Sequence, residues 1–425
     1  MQERTPASGA AGFGAALRHP ATTAIIALGF TQIISWGTTL YALGVLGKPI
    51  SADTGWSQSL VFSGLTVGLL VSSLFSPTIG RLVDRKGGRA VMSIGSILVT
   101  IGLVLLAFVR DPVTYLMAWA FLGLAMRTTL YDAAFAALVQ VTPSRGRRAI
   151  SYLTLFGGFA SSVFWPIGHA LNAEYGWRTT LLIFAAINLV LCLPLHWWGL
   201  ARRETAEQAA QAHAAAAAAG TTSGDAPLEG AARAFAMALF SLIVAASAVV
   251  FGAMAVHLVP VLEASGLAAA VAVTIASLKG VAQVAGRIWD LTLARKWHPI
   301  DVGRVSVAFI PLSFGVLMLG GTSFATALAF TLVFGVSNGL VTIMRGAVPL
   351  ALFGPKGYGE VLGILATPYL LLAAVAPAAF ALVVDRYGYE AAEAIMLGAG
   401  LFSFLGMELM AFWHRRRRRK QQAAG

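Results

Sequence analysis

Six ionisable residues stand inside long apolar stretches of the sequence and are the first candidates for chemistry. They are Arg127, Asp132, Lys279, Arg287, Asp290 and Arg345. An ionisable side chain is costly to bury among apolar residues, so such positions are functional candidates by default. Four are basic and two are acidic, so their formal charges sum to +2. Surplus positive charge in a poorly hydrated site favours an anion, and arginine can hold a carboxylate through two parallel hydrogen bonds.

Three of the six share one apolar run at 267–293. Arg287 and Asp290 are three residues apart, so they would lie on one helix face and could pair there. Lys279 lies eight residues before Arg287, at a similar helical angle. Arg287 in turn lies eight residues before Arg295, which is about 12 Å of helix from the end of the run. Such a depth makes Arg287 the main candidate ligand for an anion.

The charged residues of the fourth and tenth runs could either bind an anion or pair with one another. Asp132 follows Arg127 by five residues, and Arg345 lies in the middle of the tenth run. The two arginines are candidate ligands. In the opposite interpretation, Asp132 pairs with Arg127 or Arg345 and forms a structural bridge.

The composition sets the environment of these charges. The chain has 425 residues, of which 58% are hydrophobic and only 11% charged, against about a quarter charged in soluble domains. So much apolar surface requires a bilayer. The net charge of +12 comes from basic residues scattered through short gaps, which indicates membrane topology rather than a nucleic-acid partner. The single cysteine, Cys192, excludes an intramolecular disulfide.

Twelve apolar runs are long enough to span a membrane, since one crossing needs roughly 20 residues. They lie at 21–46, 58–80, 90–109, 113–141, 149–172, 179–199, 235–262, 267–293, 303–320, 323–353, 359–384 and 391–413. The expected organisation is a cytoplasmic tail at 1–20, a six-helix bundle at 21–200, a polar linker at 201–233, a second six-helix bundle at 234–413 and a basic tail at 414–425.

The distribution of Lys and Arg predicts the orientation. If the N-terminus is cytoplasmic, the basic residues of the outer loops are only Lys48, Arg110, Arg178 and Arg386. The other basic loop residues are then cytoplasmic, as the positive-inside rule requires. Both termini are therefore expected in the cytoplasm, and the Ala-, Arg- and Gly-rich composition hints at a bacterial inner membrane.

The two halves share spaced residues that indicate duplication. Gly123 precedes Pro143 by twenty residues, and Gly335 precedes Pro355 by twenty. A glycine–aromatic pair also closes a gap late in each half, at 176–177 and at 388–389. Duplicated membrane folds of this kind place a ligand near the midplane, between the halves.

A charged gap between the second and third runs carries a recognisable motif. The stretch GRLVDRKGGR, residues 80–89, resembles the G-x-L-x-D-R-x-G-R-R loop signature of the major facilitator superfamily. Gly88 stands where a basic residue is usual. In the second half, GRIWDLTLARK at 286–296 resembles a degraded copy, with Leu291 in the place of a glycine and Arg295 in the place of the acid.

Further stretches resemble one branch of that superfamily, the monocarboxylate and oxalate–formate porters. They are YALGVLGKPISADTGWSQSLVFSG at 41–64 and EYGWRTTLLIFAAI at 174–187. The resemblance implies an all-α membrane protein with 12 transmembrane helices in two pseudo-symmetric six-helix halves. It also implies a monomeric secondary transporter that works by alternating access.

The motif implies a cytoplasmic gate. Its expected members are Gly80, Asp84, Arg85, Gly87 and Arg89. The glycines allow a tight turn, and the basic residues hold the loop in the cytoplasm. An acid is unnecessary for topology, so we expect Asp84 either to accept hydrogen bonds from the N-terminus of a facing helix or to pair with an arginine.

The resemblance also bears on the cargo. Arg287 matches the substrate-binding arginine in the eighth helix of the branch, while Gln283 stands where the branch often has an acid. Because burial favours the neutral form of a carboxyl group, Asp132 becomes the candidate for proton coupling.

In this superfamily the first, fourth, seventh and tenth helices line the cavity. Trp36 and Tyr41 in the first run and His257 in the seventh are therefore further candidate substrate contacts, although such residues also serve packing.

The sequence contains no Walker loop, no metal-spaced Cys/His cluster and no nucleophile elbow. We therefore expect no enzyme activity, no cofactor and no metal. The favoured function is proton-coupled transport of a small, monocarboxylate-like organic anion. Two alternatives stay open: a transporter of a neutral or aromatic compound such as a vitamin or drug, and a non-transporting receptor or scaffold.

Overall fold

The computed structural model describes residues 19–218, 226–321 and 323–424, and these ranges are almost entirely helical. Most of the expected N-terminal tail lies outside the described residues, as does the part of the expected linker at 219–225.

Nine α-helices build the described part of the first half, which we call the N-terminal bundle. They are α1 (Pro20–Thr38), α2 (Ala42–Thr54), α3 (Gln58–Lys86), α4 (Gly88–Ala107), α5 (Pro112–Thr129), α6 (Tyr131–Val141), α7 (Gly146–Gly157), α8 (Ala160–Ile187) and α9 (Leu193–Gly199). A π-helical turn, Asn188–Cys192, joins α8 to α9, and its Cys192 is buried.

A connecting helix and five long helices follow. They are α10 (Ala206–Ala218) and then α11 (Gly230–Ala264), α12 (Ala269–Thr292), α13 (Pro299–Leu319), α14 (Phe324–Phe353) and α15 (Tyr358–Ala424). We call α11 to α15 the C-terminal bundle.

Ten helical segments within the described ranges are long and apolar enough to cross a bilayer. Two of them, Pro143–Gly199 with 57 residues and Tyr358–Gln421 with 64, far exceed the roughly 20 residues that one crossing needs. Each is interrupted by a non-helical glycine, Gly176 (φ 75°, ψ 166°) and Gly388 (φ 80°, ψ 175°). Division at these glycines gives twelve crossings, which confirms the predicted 12-helix membrane fold.

Capping residues explain where several helices begin. The Ser57 side chain accepts a hydrogen bond from the backbone N–H of Leu60 and starts α3. Asp111 accepts from two backbone N–H groups of α5, whose first residue is Pro112. Proline suits this position because its fixed φ is helical and the missing N–H would have no partner in the helix.

Two predicted continuous runs are broken in the structure. The run at 21–46 divides into α1 and α2, and the run at 113–141 divides at Leu130, whose backbone is extended (φ −81°, ψ −174°). Hydropathy alone did not show these breaks because both flanks are equally apolar. Each break places a candidate site residue where a new helix begins, Tyr41 before α2 and Asp132 in the first turn of α6.

The apolar residues divide between interior and outer surface as expected for a membrane protein. Large aromatic side chains such as Trp119 in the N-terminal bundle and Phe314 in the C-terminal bundle are fully buried. Leu74 and Leu319 are 72% and 90% exposed, so the outside of the helices is also apolar. Such a surface is stable against lipid tails and not in water.

The two glycine breaks generate a stability prediction. Gly176→Ala and Gly388→Ala should each destabilise the protein by about 1–3 kcal/mol, because the φ/ψ combination is essentially restricted to glycine. Gly315→Ala and Gly398→Ala are matched controls, since both glycines are helical and have open space around the added methyl group. Thermal unfolding in detergent should show lower midpoints for the first pair only. Equal midpoints in all four variants would contradict the assigned breaks.

Candidate functional site

Arg287 has a deeply buried guanidinium group. It lies on α12, and its side chain is only 4% exposed. Among the described residues, no group lies within hydrogen-bonding distance of its Nε or Nη1 atoms. The guanidinium points away from its own bundle towards Gly158, which follows α7 in the N-terminal bundle. A Cβ atom at Gly158 would lie 2.1 Å from Nη1, so glycine leaves the space that the arginine fills.

Two tyrosine side chains of the N-terminal bundle lie near this guanidinium, since Cβ atoms at the adjacent Gly157 and Gly158 would lie 2.1 Å from Tyr131 Oη and from Arg287 Nη1. The hydroxyl groups of Tyr41 and Tyr131 both lie within electrostatic range of Arg287. The ring of Trp36 lies between them, 5.9 Å from Tyr41 and 5.0 Å from Tyr131 between centroids. Trp36 donates a hydrogen bond to Gln32 Oε1 (3.2 Å), which fixes the ring. Arg287 therefore interacts electrostatically with two tyrosines whose rings pack on Trp36.

A second charged cluster joins the two bundles. Asp132 accepts a hydrogen bond from Arg127 Nη1 at 2.8 Å, and its other oxygen lies 3.5 Å from Arg345 Nη2 on α14. The helix break at Leu130 sets this geometry, because Arg127 then ends α5 and Asp132 begins α6. Both positions are favourable, since a helix C-terminus attracts a cation and an N-terminus an anion. The bridge between Asp132 and the two arginines, considered as an alternative from the sequence, is present.

An aromatic residue of α15 connects the two clusters. Arg345 stacks on the ring of Tyr369, with its guanidinium carbon 3.6 Å from the centroid. Tyr369 also interacts electrostatically with Tyr41, which in turn faces Arg287. The described centre therefore holds three arginines and a single carboxylate, Asp132, and Arg287 is the arginine that this carboxylate does not compensate.

Two other candidates occupy different surroundings. Lys279 lies about two helical turns before Arg287 on α12. Its Nζ atom lies 6.0 Å from the ring centroid of Phe334. The Nε2 atom of His257 makes a hydrogen bond of 2.9 Å with the carbonyl oxygen of Pro377, so this ring is held by α15. The structure does not bring either residue together with Arg287.

Asp290 pairs across the bundles and not with Arg287. It accepts a hydrogen bond from Ser151 Oγ at 2.6 Å, and its other oxygen lies 3.7 Å from Arg147 Nη2. Arg147 also donates to the backbone carbonyl groups of Ala294 and Trp297. The possible pairing of Arg287 with Asp290 is therefore not formed, because α7 supplies closer partners. We call the contact of Asp290 with α7 the second gate contact.

The first gate contact joins α3 to the start of α15. The two carboxylate oxygens of Asp84 accept hydrogen bonds from the backbone N–H groups of Gly359 (2.9 Å) and Glu360 (2.8 Å). Asp84 thus caps the N-terminus of α15, where a negative charge is favourable. A Cβ atom at Gly80 would lie 2.1 Å from the Gly359 carbonyl oxygen, so α3 and α15 touch through their backbones.

The other motif residues shape the turn between α3 and α4. Gly87 has a positive φ of 86°, and Arg89 places its guanidinium carbon 4.0 Å from the ring centroid of Trp197. Arg85 is exposed. Close packing explains why position 88 is a glycine where the signature usually has a basic residue. A Cβ atom at Gly88 would lie 2.2 Å from the Cβ atom of Ala137.

Both gate contacts lie at one end of the molecule, where α3 ends and α15 begins, and we call it the basic end. A third link, a pair of hydrogen bonds between Ser73 and Thr367, lies nearer the centre. Among the described residues, the hydrogen bonds and ion pairs between the two bundles lie at the centre or the basic end. The polar links between the described residues of the two bundles therefore extend from the centre to the basic end.

Fold and site together define a polytopic membrane protein built from two helical bundles around a charged centre. The sequence matches the Major Facilitator Superfamily over residues 25–319, and the chain belongs to this family. No cluster of three or more metal-ligating residues occurs in the described part of the chain.

Individual relatives are more distant. The chain is 26% identical to a gallate transporter of Pseudomonas putida over 204 residues, covering 45% of this chain and 43% of that protein. It is 30% identical to monocarboxylate transporter 14 of Homo sapiens over 167 residues, covering 39% of this chain and 32% of that protein. The chain thus spans less than half the length of these relatives.

Solved structures share the fold along almost the whole chain. The human organic anion transporter MFSD10 superposes with a TM-score of 0.64 at 18% identity, over 92% of this chain and 99% of that one. The transporter FucP in its outward conformation gives a TM-score of 0.68 at 14% identity, over 91% and 98%. At such identities the similarity establishes the fold.

Sequence reasoning missed several residues of the centre and gate. They are Tyr131, Ser151, Gly158, Arg147, Glu360 and Tyr369. Arg147 was visible as part of a basic loop, but its partner lies in the other bundle. The remaining residues are types that occur throughout membrane helices, so spacing carries no signal for them.

The gate contacts predict a conformational shift. Asp84→Asn and Asp290→Asn should each open the basic end, because a hydrogen bond to a charged group contributes about 1.5–3 kcal/mol and about 1.4 kcal/mol changes a population tenfold. Spin labels on cysteines introduced at the exposed positions Arg85 and Arg295 report the separation of the bundles. Both variants should increase the population with long distances.

Asp301→Asn is the matched control for this experiment. Asp301 forms its ion pairs with Arg304 and Arg415, within the C-terminal bundle. Its removal should leave the distance distribution unchanged. A response equal to that of Asp84→Asn would show that the two gate contacts do not hold the bundles together.

Proposed function

We propose that this protein is a secondary transporter that carries a small organic anion, with Arg287 as the main ligand of its carboxylate. The observation that carries the proposal is the buried guanidinium group with unsatisfied Nε and Nη1 atoms. A buried donor without a partner is costly, and a carboxylate would satisfy both its charge and its hydrogen bonds.

The position of the site fits this function. Arg287 belongs to the C-terminal bundle and faces Gly158 and aromatic residues of the N-terminal bundle. A ligand bound there would contact both bundles, as alternating access between two rocking halves requires. Relatives named as gallate and monocarboxylate transporters are consistent with a carboxylate cargo.

We propose that the basic end faces the cytoplasm, with both termini on that side, in the inner membrane of a bacterium. The excess of Lys and Arg in the loops of this end supports the orientation, under the positive-inside rule. With the bundles joined at the cytoplasmic end, the described conformation is then outward-facing, and the charged centre would receive its anion from outside.

We also propose that Asp132 couples transport to protons. Its carboxylate bridges the bundles through Arg127 and Arg345, at 2.8 and 3.5 Å. Protonation would remove the negative charge that holds Arg345, and so weaken a link between the bundles. A proton on Asp132 would thereby change the relative stability of the outward-facing and inward-facing conformations.

The anion proposal predicts the effect of one substitution. Arg287→Gln should reduce uptake of a radiolabelled carboxylate into proteoliposomes at least about thirtyfold, because losing a buried charged partner costs about 2–5 kcal/mol. Arg295→Gln is the matched control and should retain uptake, since Arg295 is exposed in the short turn Ala294–Lys296 that follows α12. Unchanged carboxylate uptake in Arg287→Gln would contradict the role of Arg287 as the ligand, and the absence of flux in the wild-type protein would favour a receptor or scaffold.

The coupling proposal predicts a separate loss. Asp132→Asn should abolish the stimulation of uptake by a pH gradient while exchange of labelled for unlabelled anion continues, because exchange requires no net proton movement. The exposed Asp385→Asn is the control and should keep its response to the gradient. A normal gradient response in Asp132→Asn would contradict its assignment as the coupling residue.

A further inference from the structure

Four aromatic residues of the N-terminal bundle form a continuous group beside Arg287. We call Trp36, Tyr41, Tyr131 and Trp165 the aromatic group. Adjacent ring centroids lie 5.0 Å apart for Trp36 and Tyr131, 5.9 Å for Trp36 and Tyr41, and 6.4 Å for Tyr41 and Trp165. These separations lie within the range in which aromatic rings attract one another.

The rings are tilted against one another, which leaves faces and edges free for another ring. The planes of Trp36 and Tyr131 make an angle of 48°, and those of Tyr41 and Trp165 an angle of 88°. Trp36 and Tyr41 are partly exposed, and Trp165 is 50% exposed. Tyr131 is nearly buried and stacks on Phe135 at 5.2 Å, so it forms the base of the group.

The side chains are held in place by polar contacts with the backbone. Gln32 donates to the carbonyl oxygen of Thr129 at 2.7 Å and accepts from Trp36. The hydroxyl group of Tyr131 lies 3.4 Å from the carbonyl oxygen of Thr154. A preorganised group of this kind loses little conformational freedom when a ligand binds.

The aromatic group and the Arg287 guanidinium together would favour some carboxylates over others. A short aliphatic carboxylate would satisfy the Arg287 guanidinium and leave the aromatic group without a partner. A planar aromatic ring attached to the carboxylate would reach the tilted rings of Trp36 and Tyr41 while its charge remains on the arginine. Ring–ring contact is geometrically specific, so a saturated ring of the same size gains less from it.

We propose that the cargo is an aromatic monocarboxylate, with its carboxylate on Arg287 and its ring against the aromatic group. This inference rests on the proposed function as an organic-anion transporter and specifies its substrate class. Tyr41 has a double role in it, since its hydroxyl group faces Arg287 and its ring faces Trp36.

Four probes test the proposal in the purified full-length protein. They are benzoate, cyclohexanecarboxylate, propionate and benzamide, and their binding is measured by titration calorimetry in detergent. Benzoate and cyclohexanecarboxylate have similar size and equal charge but differ in aromaticity, while benzamide keeps the ring and lacks the charge. Benzoate should bind about twofold to tenfold more tightly than cyclohexanecarboxylate, and also more tightly than propionate and benzamide.

Two substitutions locate the ring contact. Trp36→Leu and Tyr41→Leu should each reduce the preference for benzoate over cyclohexanecarboxylate, so that the two probes bind with more nearly equal affinity. Trp198→Leu is the matched control, because Trp198 is 70% exposed at the end of α9 and outside the group. The probe series on the wild-type protein keeps the test independent of how well the variants fold.

The outcomes separate this inference from the function on which it rests. Equal affinity for benzoate and cyclohexanecarboxylate would overturn the aromatic assignment and leave the anion transporter intact. Equal affinity for benzoate and benzamide would overturn the role of the charge, and with it the proposed function. Tighter binding of propionate than of benzoate, or no binding of benzoate at all, would also overturn the aromatic assignment.

Discussion

The electrostatic imbalance at the centre of the molecule is the constraint around which the other contacts are arranged. Arg287 is buried, and the acid one helical turn away, Asp290, is engaged by Ser151 and Arg147 of the opposite bundle. The other central carboxylate, Asp132, is already shared by two arginines. A protein seldom leaves a charge uncompensated in a poorly hydrated place without a function for it.

Arg287 and Asp290 have different roles although they share one turn of α12. The first faces the centre, and the second closes the basic end through α7. Because the helix is rigid over so short a distance, a movement of α12 that accommodates a ligand at Arg287 also displaces Asp290. The first gate contact, between Asp84 and the start of α15, is remote from this turn and depends on backbone amide groups. The two gate contacts therefore differ in how directly they are connected to Arg287.

The sequence predicted the elements better than the contacts between them. Hydropathy was sufficient for the twelve crossings, and the depth of Arg287 in its run was sufficient to select it. The helix break at Leu130 was not predictable, since the residues on both sides are equally apolar. The partner of Asp290 was also missed, because Arg147 is distant in sequence and the choice depends on how two bundles dock. Nothing in the sequence explained the glycine at position 88 of the motif, because the reason is the close packing of Ala137, which is distant in sequence.

The unequal count of charges at the centre has a consequence for energetics in a living membrane. Among the described residues of the centre, Arg127, Arg287 and Arg345 against Asp132 give a formal net charge of +2. An electrical potential difference of 100 mV acts on each elementary charge that crosses it with about 2.3 kcal/mol. In the proposed transport cycle, a reorientation that carries these charges through part of the field would therefore depend on voltage. A bound monoanion would halve the net charge, so voltage would act less strongly on the step that carries the anion.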